Sequence, residues 1–331
     1  MVLAVDIWPL DLDDQSALAD AYAVECEATA QARPGWVPLG AAARIAAWRA
    51  ENGWTRRLVG AFEGDSLVGF ASSETAHDTP GTSWVNVAVL PQHQRRGVGT
   101  QLVGAAENAS PGSARRFVAS AYRATVPEIE GLASRFARPL GYAAATSETV
   151  VELDLAGADL PAYPPADGYA VSTYLNGVPD RLRAQVGVLK GLVDAEAPNG
   201  ELGWEPTPVT AREYQEEISL WQAQGRTAVE AIALGPDGDV VAWTCLVVSA
   251  DPARPAQIEG TMVLAEHRGQ RLGRAVKVAS LLVARDRTTC RQVRTSSDDQ
   301  NVWMRAINHE LGFVPVESEI ILQKQRPVPP D

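Results

Sequence analysis

Hydrophobic positions along the chain follow two periods, and these periods predict a mixed set of strands and helices. In the first half, alternating or continuous apolar runs predict strands near 3–9, 56–63, 66–75, 83–90, 115–121 and from 142 onward. Apolar positions at helical spacing predict helices near 14–30, 38–51, 97–109 and 127–137. Hairpins followed by a strand–helix–strand unit indicate an α/β fold (α+β mixed sheet), largely antiparallel and flanked by helices.

The second half repeats this order. Strands are expected at 169–175, 227–248 (a hairpin), 257–264, 291–296 and 313–323, and helices at 180–194, 210–224, 271–284 and 300–310. At a constant offset of 174, Val89 falls on Val263 and Gly99 on Gly273. A period this long indicates two tandem domains. Residues 156–168 contain three prolines. We therefore expect domains at 1–155 and 168–331, joined by a proline-rich linker at 156–167.

The segment 85–109 predicts a strand, a tight basic turn and a helix. The apolar run Val85 to Leu90 ends at Pro91, and the turn Gln94–Gly99 precedes apolar residues at helical spacing. Free amides and the positive dipole end at a helix N-terminus attract an anion, and glycines let it approach the backbone. The predicted ligand is a phosphate or pyrophosphate. The alternative is a glycine-rich turn with a solvated basic tip.

This segment resembles the coenzyme A loop of the GNAT acyltransferases, whose signature is Gln/Arg-x-x-Gly-x-Gly/Ala after the fourth strand. Gln94, Gly97 and Gly99 fill its fixed positions, and the order of elements matches the GNAT fold in both halves. The resemblance implies binding of acetyl-CoA or another short acyl-CoA. The implied contacts are Val87, Val89, Gln94, Arg95, Arg96, Gly97, Val98, Gly99 and Thr100.

The second copy of the loop is altered. Arg268 aligns with Gln94, and Arg271 replaces the first glycine. A side chain at that position costs little where the backbone is helical, and Gly269 offers a close approach nearby. The second half is thus either a second coenzyme A site or a structural pseudo-domain. If it binds, the implied contacts are Val263, Arg268, Gly269, Gln270, Arg271, Leu272, Gly273, Asn301 and Asn308.

Acyl transfer to an amine needs a proton acceptor and an acid for the leaving thiolate. Many GNAT enzymes place a Glu on the fourth strand and a Tyr four residues before the Gly of the last Leu-Gly-Phe/Tyr element. Here the Glu position falls near Ser83 and Gln257, and the Tyr position on Ala137 and Asn308. Both halves depart from the pattern. Tyr122 is the candidate acid, with a core or rim aromatic as the alternative.

The acceptor pocket of this fold lies between the early helices and the last strands. In the second half that region is an acidic loop, which suits a cationic acceptor and is otherwise a solvated surface loop. The matching loop of the first half is aromatic and carries one charge, Arg33. The candidate substrate-binding residues are Trp36, Asp194, Glu196, Glu201, Trp204 and Glu205.

Composition narrows the function classes. The net charge of −12 opposes nonspecific nucleic-acid binding and weakly favours a cationic partner. No apolar run approaches the roughly 18 residues needed to span a bilayer, and three scattered cysteines predict a reducing, cytoplasmic setting. No metal-type spacing is present in the sequence.

The predicted function is therefore transfer of an acyl group, acetyl above all, from acyl-CoA to the amine of a small molecule. We expect no nucleic-acid or membrane partner, and a monomer or homodimer. Two alternatives stay open. One is a non-catalytic acyl-CoA-binding pseudoenzyme, and the other is a GNAT fold recruited to different chemistry in a biosynthetic pathway.

Overall fold

A computed structural model describes residues 5–50 and 53–326. The chain forms two compact units. The first combines Met1–Ser147 with Ser318–Asp331, and the second is Glu148–Glu317. In the part of the chain that is described, no helix has the length and apolar character to cross a membrane. The same residues contain no group of His, Cys, Asp and Glu side chains placed to hold a metal ion.

The first unit has a six-stranded sheet whose last strand comes from the chain's C-terminal end. Its strands are β1 (Asp6–Leu10), β2 (Trp54–Glu63), β3 (Ser66–Ala76), β4 (Thr82–Val89), β5 (Arg116–Arg123) and the second part of β12 (Val314–Gln325), in that spatial order. Its helices are α1 (Gln15–Ala32), α2 (Ala41–Arg49), α3 (Val98–Ala109) and α4 (Val126–Leu132). Only the β4–β5 pair is parallel.

Helices cover both faces of this sheet. Leu18 of α1 and Trp48 of α2 pack with Phe70 of β3 on one face. Leu102 of α3 packs with Phe117 of β5 on the other. The β-period alternation of the strands sends successive side chains to these two layers, which is why the strands contain nearly continuous apolar runs.

The second unit repeats this arrangement. Its strands, in spatial order, are β6 (Ala143–Asp154), β11 (Gln292–Asp298), β10 (Ala256–Val263), β9 (Val240–Val248), β8 (Thr227–Leu234) and β7 (Ala170–Leu175). Its helices are α5 (Asp180–Glu196), α6 (Ala211–Ala223), α7 (Leu272–Arg287) and α8 (Val302–Glu310). The predicted fold class, a mixed sheet flanked by helices, is confirmed.

The units differ from the predicted division at 155 and 168, because each sheet takes its last strand from the other half of the sequence. In β6, Glu148 to Asp154 pair antiparallel with β11 of the second unit. In β12, Ser318 to Gln325 pair antiparallel with β5 of the first unit. The apolar alternation of a strand specifies which face is buried and leaves its partner open, so sequence analysis placed both strands in the wrong sheet.

The segment expected to be a linker packs against the second unit. Leu155 and Leu160 are buried in the same cluster as Leu281 of α7. The guanidinium of Arg285 also donates to the carbonyl oxygen of Ala158 at 3.3 Å. The predicted helix at 127–137 is likewise irregular: α4 is followed by a wider π turn at Ala133–Ala137.

Candidate active site

Strands β4 and β5 part near the middle of the first unit's sheet. They pair in parallel at only three positions, the last being Trp84 with Val118, although β5 continues to Arg123. Within the described residues, the edge of β4 from Val85 to Val89 has no strand partner on that side. The gap exposes main-chain donors and acceptors, and Val87 lies at its solvent-exposed part.

The loop after β4 carries the predicted anion site. The side-chain amide of Gln94 donates from Nε2 to the carbonyl oxygen of Val89 at 3.0 Å, which ties the loop to the end of the strand. Gly97 is the N-cap of α3, in the left-handed region with φ of 86°, and no side chain caps the helix. The amides of the first helical turn are thus free of a side-chain cap, and they point along the helix axis toward the loop.

The predicted loop residues divide into backbone and side-chain contributors. Val98 is buried in the core, so only its amide could meet a ligand, whereas Arg95, Arg96 and Thr100 are exposed. A side chain at Gly99 would place its Cβ 3.2 Å from the ring of Phe136. Gly99 therefore serves close packing of α3 against the segment that follows α4.

The second unit contains the same gap between strands. β10 pairs in parallel with β11 at Ala256 and Gln257 only. Its pairing with β9 shifts register between Ile258 and Gly260, which indicates a β-bulge. Past Gln257, the edge of β10 has no strand partner on the β11 side within the described ranges.

The second loop also repeats the backbone of the first. Arg268 donates from Nε to the carbonyl oxygen of Val263 at 3.2 Å, as Gln94 does to Val89. Left-handed residues occur at the same two positions: Arg95 and Gly97 in the first loop, Gly269 and Arg271 in the second. The expectation of a helical backbone at Arg271 is wrong, because its φ of 63° is left-handed. The glycine has moved to the other left-handed position.

Additional contacts hold the second loop. The guanidinium of Arg268 forms an ion pair with Glu196 of α5. The hydroxyl of Tyr169 and Nδ1 of His267 are 3.0 Å apart, and the amide of Ala166 donates to the carbonyl oxygen of Gln270 at 3.4 Å. The second loop is thus tied to α5 and to the segment before β7.

Leu272, Gly273 and the two asparagines of the second unit have structural contacts. The side chain of Leu272 is buried, and Gly273 faces Val263. Asn301 is the N-cap of α8, where its side-chain oxygen accepts from the amide of Met304 at 3.1 Å. Asn308 is buried, and its side-chain oxygen accepts from the ammonium group of Lys277.

The acidic loop contributes unequally to a site. Asp194 is largely buried, and this burial raises the pKa of its carboxyl group. Glu196 is engaged by Arg268, as described above. Glu201 and Glu205 are exposed and Trp204 is half-buried, so these three do not join Asp194 in one cluster.

Sequence reasoning missed a glutamate on each exchanged strand. Glu148 of β6 lies opposite Asp298 of β11. Burial raises the pKa of Glu148, a hydrogen bond with Ser296 opposes that shift, and the charges of Asp298, Asp194 and Asp299 raise the pKa further. A carboxyl with a raised pKa near other carboxylates is common at functional sites.

In the first unit, Glu319 takes the corresponding place. It is buried on β12 and lies opposite Tyr122 of β5. The guanidinium of Arg33, at the end of α1, stacks 3.7 Å from the centre of the Tyr122 ring, and Trp36 follows in a turn closed by its amide on the Arg33 carbonyl. A repeat signal existed: Ser147-Glu148 and Ser318-Glu319 are 171 residues apart, like Leu140-Gly141 and Leu311-Gly312.

Residues 20–126 match the model of the Acetyltransferase (GNAT) family. The chain is similar in structure to a tandem GNAT protein from the clavulanic acid biosynthesis pathway, with a TM-score of 0.78, 22% identity, and coverage of 98% of this chain and 100% of that one. It is also similar to a GCN5-related N-acetyltransferase from Sphaerobacter thermophilus, with a TM-score of 0.67, 18% identity, and coverage of 99% and 98%. No curated protein sequence matches the chain.

Proposed function

Because the chain has the tandem GNAT fold and a GNAT family match in its first half, we propose that it transfers an acetyl or other short acyl group from acyl-CoA to the amine of a small molecule. The family match supports acyltransferase activity as a class. The proposal adds the N-acyl specificity, the acceptor and the roles of individual residues.

The parting of β4 from β5 carries this proposal. The free edge of β4 leads directly into a loop whose amides, two arginines and helix N-terminus suit a diphosphate. Gln94 holds the loop against the strand, and Gly97 gives the backbone its left-handed start. An extended chain with a diphosphate at one end, such as acyl-CoA, would pair with both features, and it would supply the activated thioester.

Glu148 and Glu319 are the proposed proton acceptors of the two units. An attacking amine must lose a proton, and a carboxylate with a raised pKa is a better base than an ordinary one. In the second unit, the charges of Asp194 and Asp298 would also hold a cationic acceptor. In the first unit, Tyr122 and Arg33 stand in that region. The two units therefore favour different acceptors, and Tyr122 stays the proposed acid of the first.

A non-catalytic acyl-CoA-binding protein is the second candidate. The observation that favours it is the absence of a tyrosine at Ala137 and Asn308; Ala137 is buried and Asn308 is engaged with Lys277. For both candidates we expect a cytoplasmic monomer or homodimer that binds no nucleic acid.

A panel of amines with acetyl-CoA tests the proposal, with release of free coenzyme A thiol as the readout. We expect thiol release that depends on the acceptor and is strongest with diamines or amino sugars that carry a net positive charge. Binding of acetyl-CoA without acceptor-dependent release across the panel would establish the second candidate. Turnover of an acceptor without any acyl-CoA would indicate the recruited fold instead.

A further inference from the structure

A cavity of about 310 Å³ lies beneath α8 in the second unit. Its walls come from β6, β11, α8 and the start of β12, so it is separate from the loop at 264–271 and from β10. Val302, Arg305 and Ala306 of α8 are exposed at its rim, whereas Val151 and Phe313 line a buried apolar part. The volume is near the lower end for small-ligand sites.

Two polar side chains in the wall have unused hydrogen-bonding capacity. Asn308 is 2% exposed and Ser297 is 8% exposed. Within the described residues, Nδ2 of Asn308 and Oγ of Ser297 have no hydrogen-bond partner. An unpartnered buried polar group costs about 1–3 kcal/mol, so two that line one cavity indicate a partner supplied from outside the chain.

The orientation of Asn308 is fixed by Lys277. The Lys277 ammonium donates to Oδ1 of Asn308, lies 3.3 Å from the sulfur of Met304, and is almost fully buried. A cation can bond only the oxygen of the amide, so the Asn308 Nδ2 is left as a donor. The group presented to a ligand is therefore an N–H, with a positive charge behind it when Lys277 is protonated.

The other charged and polar groups of the cavity favour an anion as well. Arg305 and His309 stand at the exposed rim. Thr149 also lines the cavity, and its hydroxyl donates to Asp299 at 2.6 Å, so the nearby carboxylate is engaged by that hydroxyl. The carbonyl of Asp299 accepts from Arg305 at 2.8 Å.

We infer that this cavity binds a small carboxylate with an apolar body. The carboxylate accepts from the Asn308 amide and the Ser297 hydroxyl, and the apolar body packs against Val151 and Phe313. This site is independent of the proposed transferase activity, because it uses neither the strand gap nor the acyl-CoA loop.

Calorimetric titration with benzoate tests the inference, with benzamide as the neutral isostere. We expect saturable binding of benzoate with Kd near or below about 1 mM and at least about tenfold weaker binding of benzamide. Acetyl-CoA at saturation should leave the benzoate affinity unchanged. Equal affinities for the two probes, no saturable binding of benzoate, or competition with acetyl-CoA would overturn the inference.

Asn308→Asp is the discriminating variant. Its carboxylate can pair with Lys277, which preserves folding, but it replaces the N–H donor with an acceptor that repels benzoate. We expect at least about a tenfold loss of benzoate affinity, and a smaller loss in Ser297→Ala. Asn108→Asp makes the same charge change on the exposed surface of α3 and should bind benzoate as the unmodified chain does. Unchanged affinity in Asn308→Asp would contradict the assignment.

Discussion

Gln94 and Arg268 make the same hydrogen bond in the two halves of the chain. Gln94 donates to the carbonyl oxygen of Val89 at 3.0 Å, and Arg268 donates to that of Val263 at 3.2 Å. Each bond joins the end of the central parting strand to the loop before a helix. An amide and a guanidinium thus do the same structural work, which explains why the loop keeps its shape although its sequence changes.

The two loops differ in where they place glycine, and this difference is measurable. Gly97 and Arg271 are both left-handed, with φ of 86° and 63°. A side chain in that region costs about 1–2 kcal/mol. We expect Gly97→Ala to lower the free energy of unfolding by about 1 kcal/mol and Arg271→Gly to raise it by less, since glycine also gains entropy in the unfolded chain. Chemical denaturation of both variants measures the two shifts, and shifts of the same sign would contradict the backbone assignment.

Glu148 should control the pH dependence of acyl transfer in the second unit. A base acts only when deprotonated, and the pKa of Glu148 is raised. The rate should therefore rise with pH through a value above that of an ordinary glutamate. We expect Glu148→Gln to lower kcat/KM by about 100-fold or more and to abolish this limb of the profile, while the Kd for acetyl-CoA is retained.

Glu319→Gln is the matched variant for the first unit. If only one unit is catalytic, one substitution will remove the pH limb and the other will not. Full activity and an unchanged profile in both variants would exclude these glutamates as proton acceptors.

Lys277 should make the stability depend on pH in an unusual direction. Burial lowers the pKa of Lys277 from 10.5 to about 7. Below pH 7 the amine is charged in both the folded and the unfolded chain, so the full cost of burying the charge is present. Between about pH 7 and 10.5 the unfolded chain binds the extra proton, so this group makes stability rise with pH.

Replacement of Lys277 by Met should therefore stabilise the protein most at low pH. We expect a gain on the order of 2–4 kcal/mol near pH 6 that shrinks toward pH 10, measured by urea unfolding at several pH values. Lys324→Met is the control: its ammonium group bonds both carboxylate oxygens of Glu107, at 2.8 and 2.6 Å, so its loss should destabilise. A pH-independent effect of Lys277→Met would contradict a shifted pKa.

The exchanged strands predict that neither half of the sequence folds alone. A fragment of residues 1–161 lacks the β12 segment that pairs with β5, and a fragment of 162–331 lacks the β6 segment that pairs with β11. Each would expose a long unpaired edge. We expect each fragment to be aggregated or unfolded when expressed singly, and the two to form a stable one-to-one complex when coexpressed.

Size-exclusion chromatography and circular dichroism distinguish these outcomes. The cut between Pro161 and Ala162 falls at exposed residues, so the division itself removes no buried contact at that point. A monomeric, cooperatively folded single fragment would show that strand exchange is dispensable.

Much of this fold was predictable from sequence, and the exceptions share a physical cause. Strand β4, helix α3 and their counterparts follow from apolar periodicity and from turn glycines, which are local signals. The partners of β6 and β12 depend on contacts between distant residues, and alternation is silent about them. Glu148 and Glu319 were missed because their position becomes meaningful only when each strand is placed in the other sheet.

The first loop was predicted residue by residue, because its glycines and its strand–turn–helix context are both local. The backbone at Arg271 was not, because arginine rarely adopts a left-handed conformation. Gly269 was the available clue: one glycine and one arginine occupy the left-handed pair in each loop. The buried pair of Lys277 and Asn308 had no signal in the sequence, since it joins two helices at a point where both residues are polar.

Calorimetric titration of acetyl-CoA into the full chain and into Gly97→Asp tests the central claim most directly. Gly64→Asp is the matched control, because Gly64 is also left-handed but lies in the β2–β3 turn with no atom within 4 Å of an added Cβ. We predict that Gly97→Asp removes binding at the first unit, lowering the affinity by about 100-fold or more, while Gly64→Asp binds normally. Unchanged affinity and stoichiometry in Gly97→Asp would contradict the assignment of this loop as the acyl-CoA site.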